Sequence, residues 1–139
     1  MNSYGEYLDR TAKLIKIDLA RKFKNNGIEI TPEQWVILSK LNLENGQSQT
    51  KLGESSYKDA PTVSRIIDLL CKKGLTTREP FAGDRRRFKI NLTKKGQAIV
   101  KKATPFIQET RNKGWQGLAD DDYDTLMRII NRISANFID

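Results

Sequence analysis

The chain has 139 residues, with 25 Lys and Arg against 17 Asp and Glu, no histidine and one cysteine, for a net charge of +8. Without an imidazole there is no Ser-His-Asp or Cys-His triad and no histidine-ligated zinc or haem, and one thiol makes neither an intrachain disulfide nor a multi-cysteine metal site. These counts point to a single soluble, cytoplasmic domain that uses no metal or cofactor and is not an enzyme, and they favour a polyanionic partner.

The start, Met1 to Tyr7, has neither a basic region nor an apolar run of the kind that directs export. No stretch approaches the roughly 18 apolar residues of a spanning helix, so no membrane partner is expected. From about Tyr4, apolar positions Tyr7, Leu8, Leu14, Ile15, Leu19 and Phe23 recur at helical spacing, and Gly27 ends the helix. Thr31-Pro32-Glu33-Gln34 is a helix start, with Thr31 as cap, Pro32 in the first turn and Gln34 completing a capping box. That helix carries Trp35, Ile37, Leu38 and Leu41 and stops at Asn45-Gly46.

After a Gln47-Ser48 link, Thr50 to Tyr57 reads as a short helix anchored by Leu52 and Tyr57. Asp59 then caps a helix that tolerates Pro61 in its first turn, buries Val63, Ile66, Ile67 and Leu70, and ends at Gly74. Leu75–Glu79 and Phe88–Leu92 read as strands flanking a long basic loop, Pro80 to Arg87. Thr93 caps a helix running towards Trp115 with a bend expected at Pro105. Asp120 or Asp121 opens the last helix, striped by Tyr123, Leu126, Ile129, Ile130, Ile133 and Phe137. The fold class is therefore mainly α with a small β-hairpin.

A short helix, a turn, a capped amphipathic helix and a basic hairpin, in that order, make a winged helix-turn-helix. Rotating about 100° per residue from the buried stripe puts Pro61, Arg65, Asp68 and Lys72 on the far side of the fourth helix, flanked by Thr62, Ser64 and Leu69. Small hydroxyls and an Arg at a helix N-terminus suit a major groove, whereas Asp68 suits an ordinary solvated face. Arg85, Arg86 and Arg87 follow Gly83-Asp84 on the hairpin, where guanidinium groups can enter a minor groove and Asp84 can hold one of them extended. Thr50 to Lys102 holds fourteen basic residues against five acidic ones, a net +9, which leaves the rest of the chain at −1.

Thr31–Leu38, Pro61–Leu70, Lys73-Gly74-Leu75, Arg78, Asp84-Arg85-Arg86 and Leu92-Thr93-Lys94-Lys95-Gly96 resemble, in order and spacing, the multiple-antibiotic-resistance regulator (MarR) family. The resemblance covers nearly the whole chain. It implies a homodimeric regulator of transcription that binds a pseudo-palindromic stretch of double-stranded DNA, acting as a repressor released by a small-molecule effector. It also implies a winged-helix core over about 31–93 with dimerisation helices over about 1–25 and 94–139. Thr62, Ser64 and Arg65 match its DNA-facing positions, and Asp84 and Arg86 match its wing. Lys51-Leu52-Gly53-Glu54, where the family more often has Leu-Ala, and Pro61 depart from the pattern.

By periodicity alone, Tyr7, Leu14, Leu126, Ile130, Ile133 and Phe137 are either monomer core or an intermolecular bundle; the resemblance favours dimerisation. Cys71 flanks the buried stripe and reads as a packing residue rather than a redox sensor. An effector pocket in the family lies between the dimerising helices and the winged core, for which Tyr7, Leu14, Trp35 and Phe106 are candidate lining residues. The alternative function is a winged-helix protein-interaction module without specific DNA binding.

Overall fold

The computed structural model describes residues 3–138. Met1 and Asn2, where the export reading and the expected 1–139 domain both begin, and Asp139, where that domain ends, lie outside the described residues. Among the described residues the elements are α1 (Tyr4–Asn25), α2 (Pro32–Leu43), β1 (Gln47–Ser48), α3 (Gln49–Ser56), α4 (Ala60–Lys72), β2 (Thr76–Phe81), β3 (Asp84–Leu92), α5 (Lys94–Gly114) and α6 (Asp120–Ala135). Mainly helical with one small antiparallel sheet in the order β1-β3-β2, this is a winged helix-turn-helix.

The polar residues ahead of each central helix explain where these helices begin. The Gln34 amide donates to Thr31 Oγ1 at 3.1 Å while Gln34 Oε1 accepts from the Thr31 amide at 3.1 Å, the reciprocal box read from the sequence. Ser48 accepts from Lys51, Asp59 from Thr62 at 2.8 Å and Thr93 from Gly96 at 3.0 Å. Each such cap contributes about 1 kcal/mol by satisfying an amide the helix leaves unpaired. α6 begins at Asp120, but the carboxylate that accepts from the preceding amide, that of Ala119, belongs to Asp122.

The core forms where the apolar stripes of α1, α2, α3, α4 and α5 meet the sheet: Phe23, Ile37, Leu38, Leu41, Leu52, Val63, Ile67, Leu70, Ile90 and Val100 are all buried. The four positions expected to bury α4 do so. α5 runs unbroken through Pro105. Its first turn is fused to the base of the hairpin: Thr93 Oγ1 donates to the Gly74 carbonyl at 2.6 Å and the Thr93 amide to Leu75 O at 3.1 Å. Gly96 lies so close that a β-carbon would sit 2.1 Å from Leu75 O, and only glycine admits that approach.

Three expectations are corrected. Gln47-Ser48 is a strand, pairing with Ile90 and Lys89 of β3; so short a segment has no periodicity of its own and owes its form to a distant partner. Tyr57 does not anchor α3: it is 85% exposed, and with φ 53° it makes the left-handed turn that redirects the chain towards α4. The hairpin has a tight Ala82-Gly83 tip, not a long loop. Phe81 pairs with Asp84 whereas Pro80 pairs with Phe88, so Arg85, Arg86 and Arg87 belong to β3 yet have no partner on β2. A bulge absorbs them.

Candidate nucleic-acid interface

α3 packs on α4 to form the helix-turn-helix, and α4 presents its first turn outwards. Pro61 and Arg65 are exposed and Thr62 and Ser64 are half-buried, flanking the Val63 and Ile67 stripe as the rotation about the helix requires. Two hydrogen bonds from Thr62 and the nearby Arg65 charge hold the Asp59 carboxyl below its usual range, so the cap is ionised at neutral pH.

On the wing, Asp84 Oδ1 accepts the Arg86 amide at 3.0 Å and lies 3.6 Å from Arg86 Nε. The Arg86 side chain is 94% exposed, so the pair shapes the bulge while leaving the guanidinium available. Arg87 stacks over Phe81, 4.8 Å from its ring centroid, and Arg85 points into solvent. Arg86, Arg87 and Phe88 share one cleft with Lys58, Ala60 and Val63. The structure thus brings the wing arginines beside the start of α4, two groups more than twenty positions apart in sequence.

One positioning group was missed by periodicity. Arg78 on β2 reaches back to α4, donating to Asp68 Oδ1 at 2.6 Å and to the Ser64 carbonyl at 3.5 Å, with its guanidinium 5.5 Å from the Phe88 ring centroid. Asp68 therefore ties α4 to the wing instead of facing solvent alone. No spacing rule connects a helix to a strand beyond a turn, so the signal lay in a carboxylate on an otherwise basic helix face and in the place of Arg78 among the family-like positions.

The terminal residues fall outside this assembly. Tyr7 and Leu14 on α1 are more than half exposed, Leu126 is exposed, and Ile130 and Ile133 are half-buried. Phe137, past the end of α6, is 78% exposed, and α6 contributes no buried residue. Trp115 and Tyr123 meet edge to face across the turn into α6, their centroids 5.8 Å apart. Of the four residues considered for an effector pocket, Trp35 and Phe106 pack against the core, and Leu14 lines a hollow between α1 and α5 that the other three do not line. At its floor Asp18 accepts from Lys113 at 2.7 Å and from Thr110 at 2.8 Å and pairs with Lys22 at 3.0 Å. These partners, Lys113 foremost, hold its carboxyl far below the usual carboxylate range. Cys71 is half-buried against the core, its Sγ 3.2 Å from Thr76 Oγ1.

Among the described residues no helix is long and apolar enough to cross a membrane. The sequence model of the MarR family matches residues 30–88. MepR of S. aureus, solved as a DNA complex, is 22% identical with a TM-score of 0.88, covering 98% of this chain and 99% of that one. A MarR transcriptional regulator from Methanosarcina mazei Go1 is 21% identical with a TM-score of 0.85 over 97% of this chain and 96% of its own. The transcriptional repressor CouR, bound to a 23-mer DNA duplex, is 24% identical with a TM-score of 0.83, over 94% and 91%. Residues 30–88 are thus a MarR-family segment, and the fold around them, over nearly the whole chain, is that of MarR transcriptional regulators.

Proposed function

We propose that the protein is a homodimeric, sequence-specific DNA-binding regulator of transcription, a repressor of a pseudo-palindromic site that a small-molecule effector releases. The observation that carries this reading is the cleft that Arg86 and Arg87 share with Ala60 and Val63 at the start of α4, the helix end whose neighbouring positions are Thr62, Ser64 and Arg65. Thr62, Ser64 and Arg65 enter the major groove beside Pro61, and Asp84 sets Arg85, Arg86 and Arg87 against the minor groove and backbone. Residues of about 31–93 form the reading core.

Segments of about 1–25 and 94–139 form the dimer, burying Tyr7, Leu14, Leu126, Ile130, Ile133 and Phe137; the exposure of Tyr7, Leu14, Leu126 and Phe137 in one chain supports that role. Two copies of α4 would then lie about one DNA turn apart. The hollow between α1 and α5 offers the effector a place next to the dimer helices. The protein works in the cytoplasm, binding rather than catalysing.

Selection of bound sites from a random duplex pool tests this directly. An inverted repeat is the expected product. Arg65→Ala and Arg86→Ala each weaken binding to it by about 1–3 kcal/mol. Recovery of no preferred sequence, or full binding by both variants, overturns the reading in favour of a protein-interaction module.

A further inference from the structure

The basic excess is divided between two poles. One is the reading end just described. The other gathers at the opposite end of α4 and of the hairpin. α4 has 13 residues and rises about 1.5 Å per residue, so Lys72 and Lys73 lie about 18–20 Å from its start at Ala60. Lys95 Nζ donates to the Lys73 carbonyl at 2.8 Å, joining the start of α5 to this end. Lys102 comes beside Gly27 at the end of α1, and Lys24 and Lys73 border the same hollow there.

On α5, Lys94 and Lys95 repeat at Lys101 and Lys102, a spacing of seven residues that returns to the same helix face. Lys24, Lys72, Lys94, Lys95, Lys101 and Lys102 are all exposed, and among the described residues none of them makes an ion pair. No acidic residue interrupts α5 before Glu109. Lys24 and Lys72 lie in the last turns of α1 and α4, where the helix dipole favours cations, but the start of α5 is the opposite case. Two lysines in the first turn of a helix face the positive end of its dipole, where carboxylates are favoured. A charge set that works against its own helix is expected where an external anion compensates it.

We propose that this lysine face is a second DNA-binding surface that holds phosphate backbone without reading sequence. The occupant follows from the side chains. The wing uses arginine, whose fork suits directed contacts, whereas this face uses lysine alone, a mobile point charge suited to phosphates in any register. Its exposed neighbours on α5 are Gln97 and Ala98, and the single exposed Leu69 one turn before Lys72 on α4 is too little apolar surface to anchor a protein groove or enter a bilayer. The DNA comes either from the flank of the duplex that the reading end holds or from a separate duplex. This surface does not depend on the operator, so its test uses random sequence.

Binding of a fluorescent random-sequence duplex of about 20 base pairs is measured against salt for a reading-end variant (Arg65→Ala, Arg86→Ala, Arg87→Ala). Binding is expected to persist at low salt. Adding Lys72→Gln, Lys94→Gln, Lys101→Gln and Lys102→Gln should then weaken it by about tenfold or more and flatten the salt slope by about one per lost phosphate contact. The same four positions changed to Arg should restore it, and the helical circular dichroism of each variant confirms folding. A gain in affinity on lengthening the duplex identifies the flank as the source, whereas capture of a labelled duplex by protein already held on a tethered one identifies a separate duplex. The proposal fails if the reading-end variant binds no duplex, if the glutamine changes leave its binding intact, or if phosphatidylserine vesicles but not duplexes take it up.

Discussion

Arg78 and Asp68 meet at 2.6 Å across the junction of wing and reading helix, and the Arg78 guanidinium lies over the Phe88 ring as it does so. This contact joins β2 to α4, with a second bond from Arg78 to the Ser64 carbonyl. Asp68 is half exposed, so water screens the ion pair, and Asp68→Asn should lower stability by less than about 1 kcal/mol. Arg78→Ala also loses the stacked contact and should cost about 1–2 kcal/mol. Thermal melts measure both. If the contact orients the reading surfaces, each variant weakens binding to the selected duplex by more than its loss of stability accounts for, with the salt slope unchanged.

Asp84 performs a separate task on the wing. Its carboxylate accepts the Arg86 amide, and its partner side chain is almost wholly exposed. Asp84→Ala should therefore leave stability within about 0.5 kcal/mol of the parent. Fluorescence anisotropy should show a loss of duplex affinity smaller than that of Arg86→Ala.

The Asp18 cluster joins α1 to α5 with a carboxylate that is only 16% exposed. Its folded pKa lies below the unfolded value near 4, so its contribution is complete above that value and declines as pH falls below it. Asp18→Asn should cost about 1–3 kcal/mol at pH 7 by leaving Lys22 and Lys113 without their acceptor. Denaturant titrations should show this difference shrinking between pH 5 and pH 3, and a difference that grows with acid would exclude the role.

Glycines in helices separate propensity from packing. Gly96→Ala places a methyl group against the Leu75 carbonyl and should destabilise by about 2–3 kcal/mol despite the better helix former. Gly53→Ala meets Val63 Cγ2 at 3.4 Å, an ordinary contact, and should stabilise by about 0.5–1 kcal/mol. Opposite signs in one melting experiment check both.

α6 contributes nothing to the core, so charges on its apolar face act on assembly before they act on folding. Leu126→Glu with Ile130→Glu should convert a dimer into folded monomers by analytical ultracentrifugation. A wild-type protein that sediments as a monomer at micromolar concentration would refute the dimer proposal.

What the sequence made legible was whatever depends on near neighbours. Thr31 with Gln34, Asp59 with Thr62 and the four-residue stripe of α4 are local patterns with local causes, and each is found as read. β1, the bulge that takes Arg85 to Arg87, and the Arg78–Asp68 contact depend on residues brought together from far along the chain, for which periodicity carries no information. Tyr57 misled because an aromatic residue near the end of an amphipathic segment resembles an anchor, while its left-handed backbone turns it outwards. For Leu14 and Leu126, periodicity identified the apolar face and left its covering open, and the single chain leaves them largely uncovered.

The close approach of Gly96 to Leu75 has a mechanical consequence. With Thr93 and Lys95 bonded to the last carbonyls after α4, there is no slack between the reading helix, the base of the wing and the first turn of α5. The three are bonded into one unit, so a tilt of α5 imposed near Thr110 would be carried to α4. A displacement at the α1–α5 hollow therefore needs no flexible relay to reach the first turn of α4.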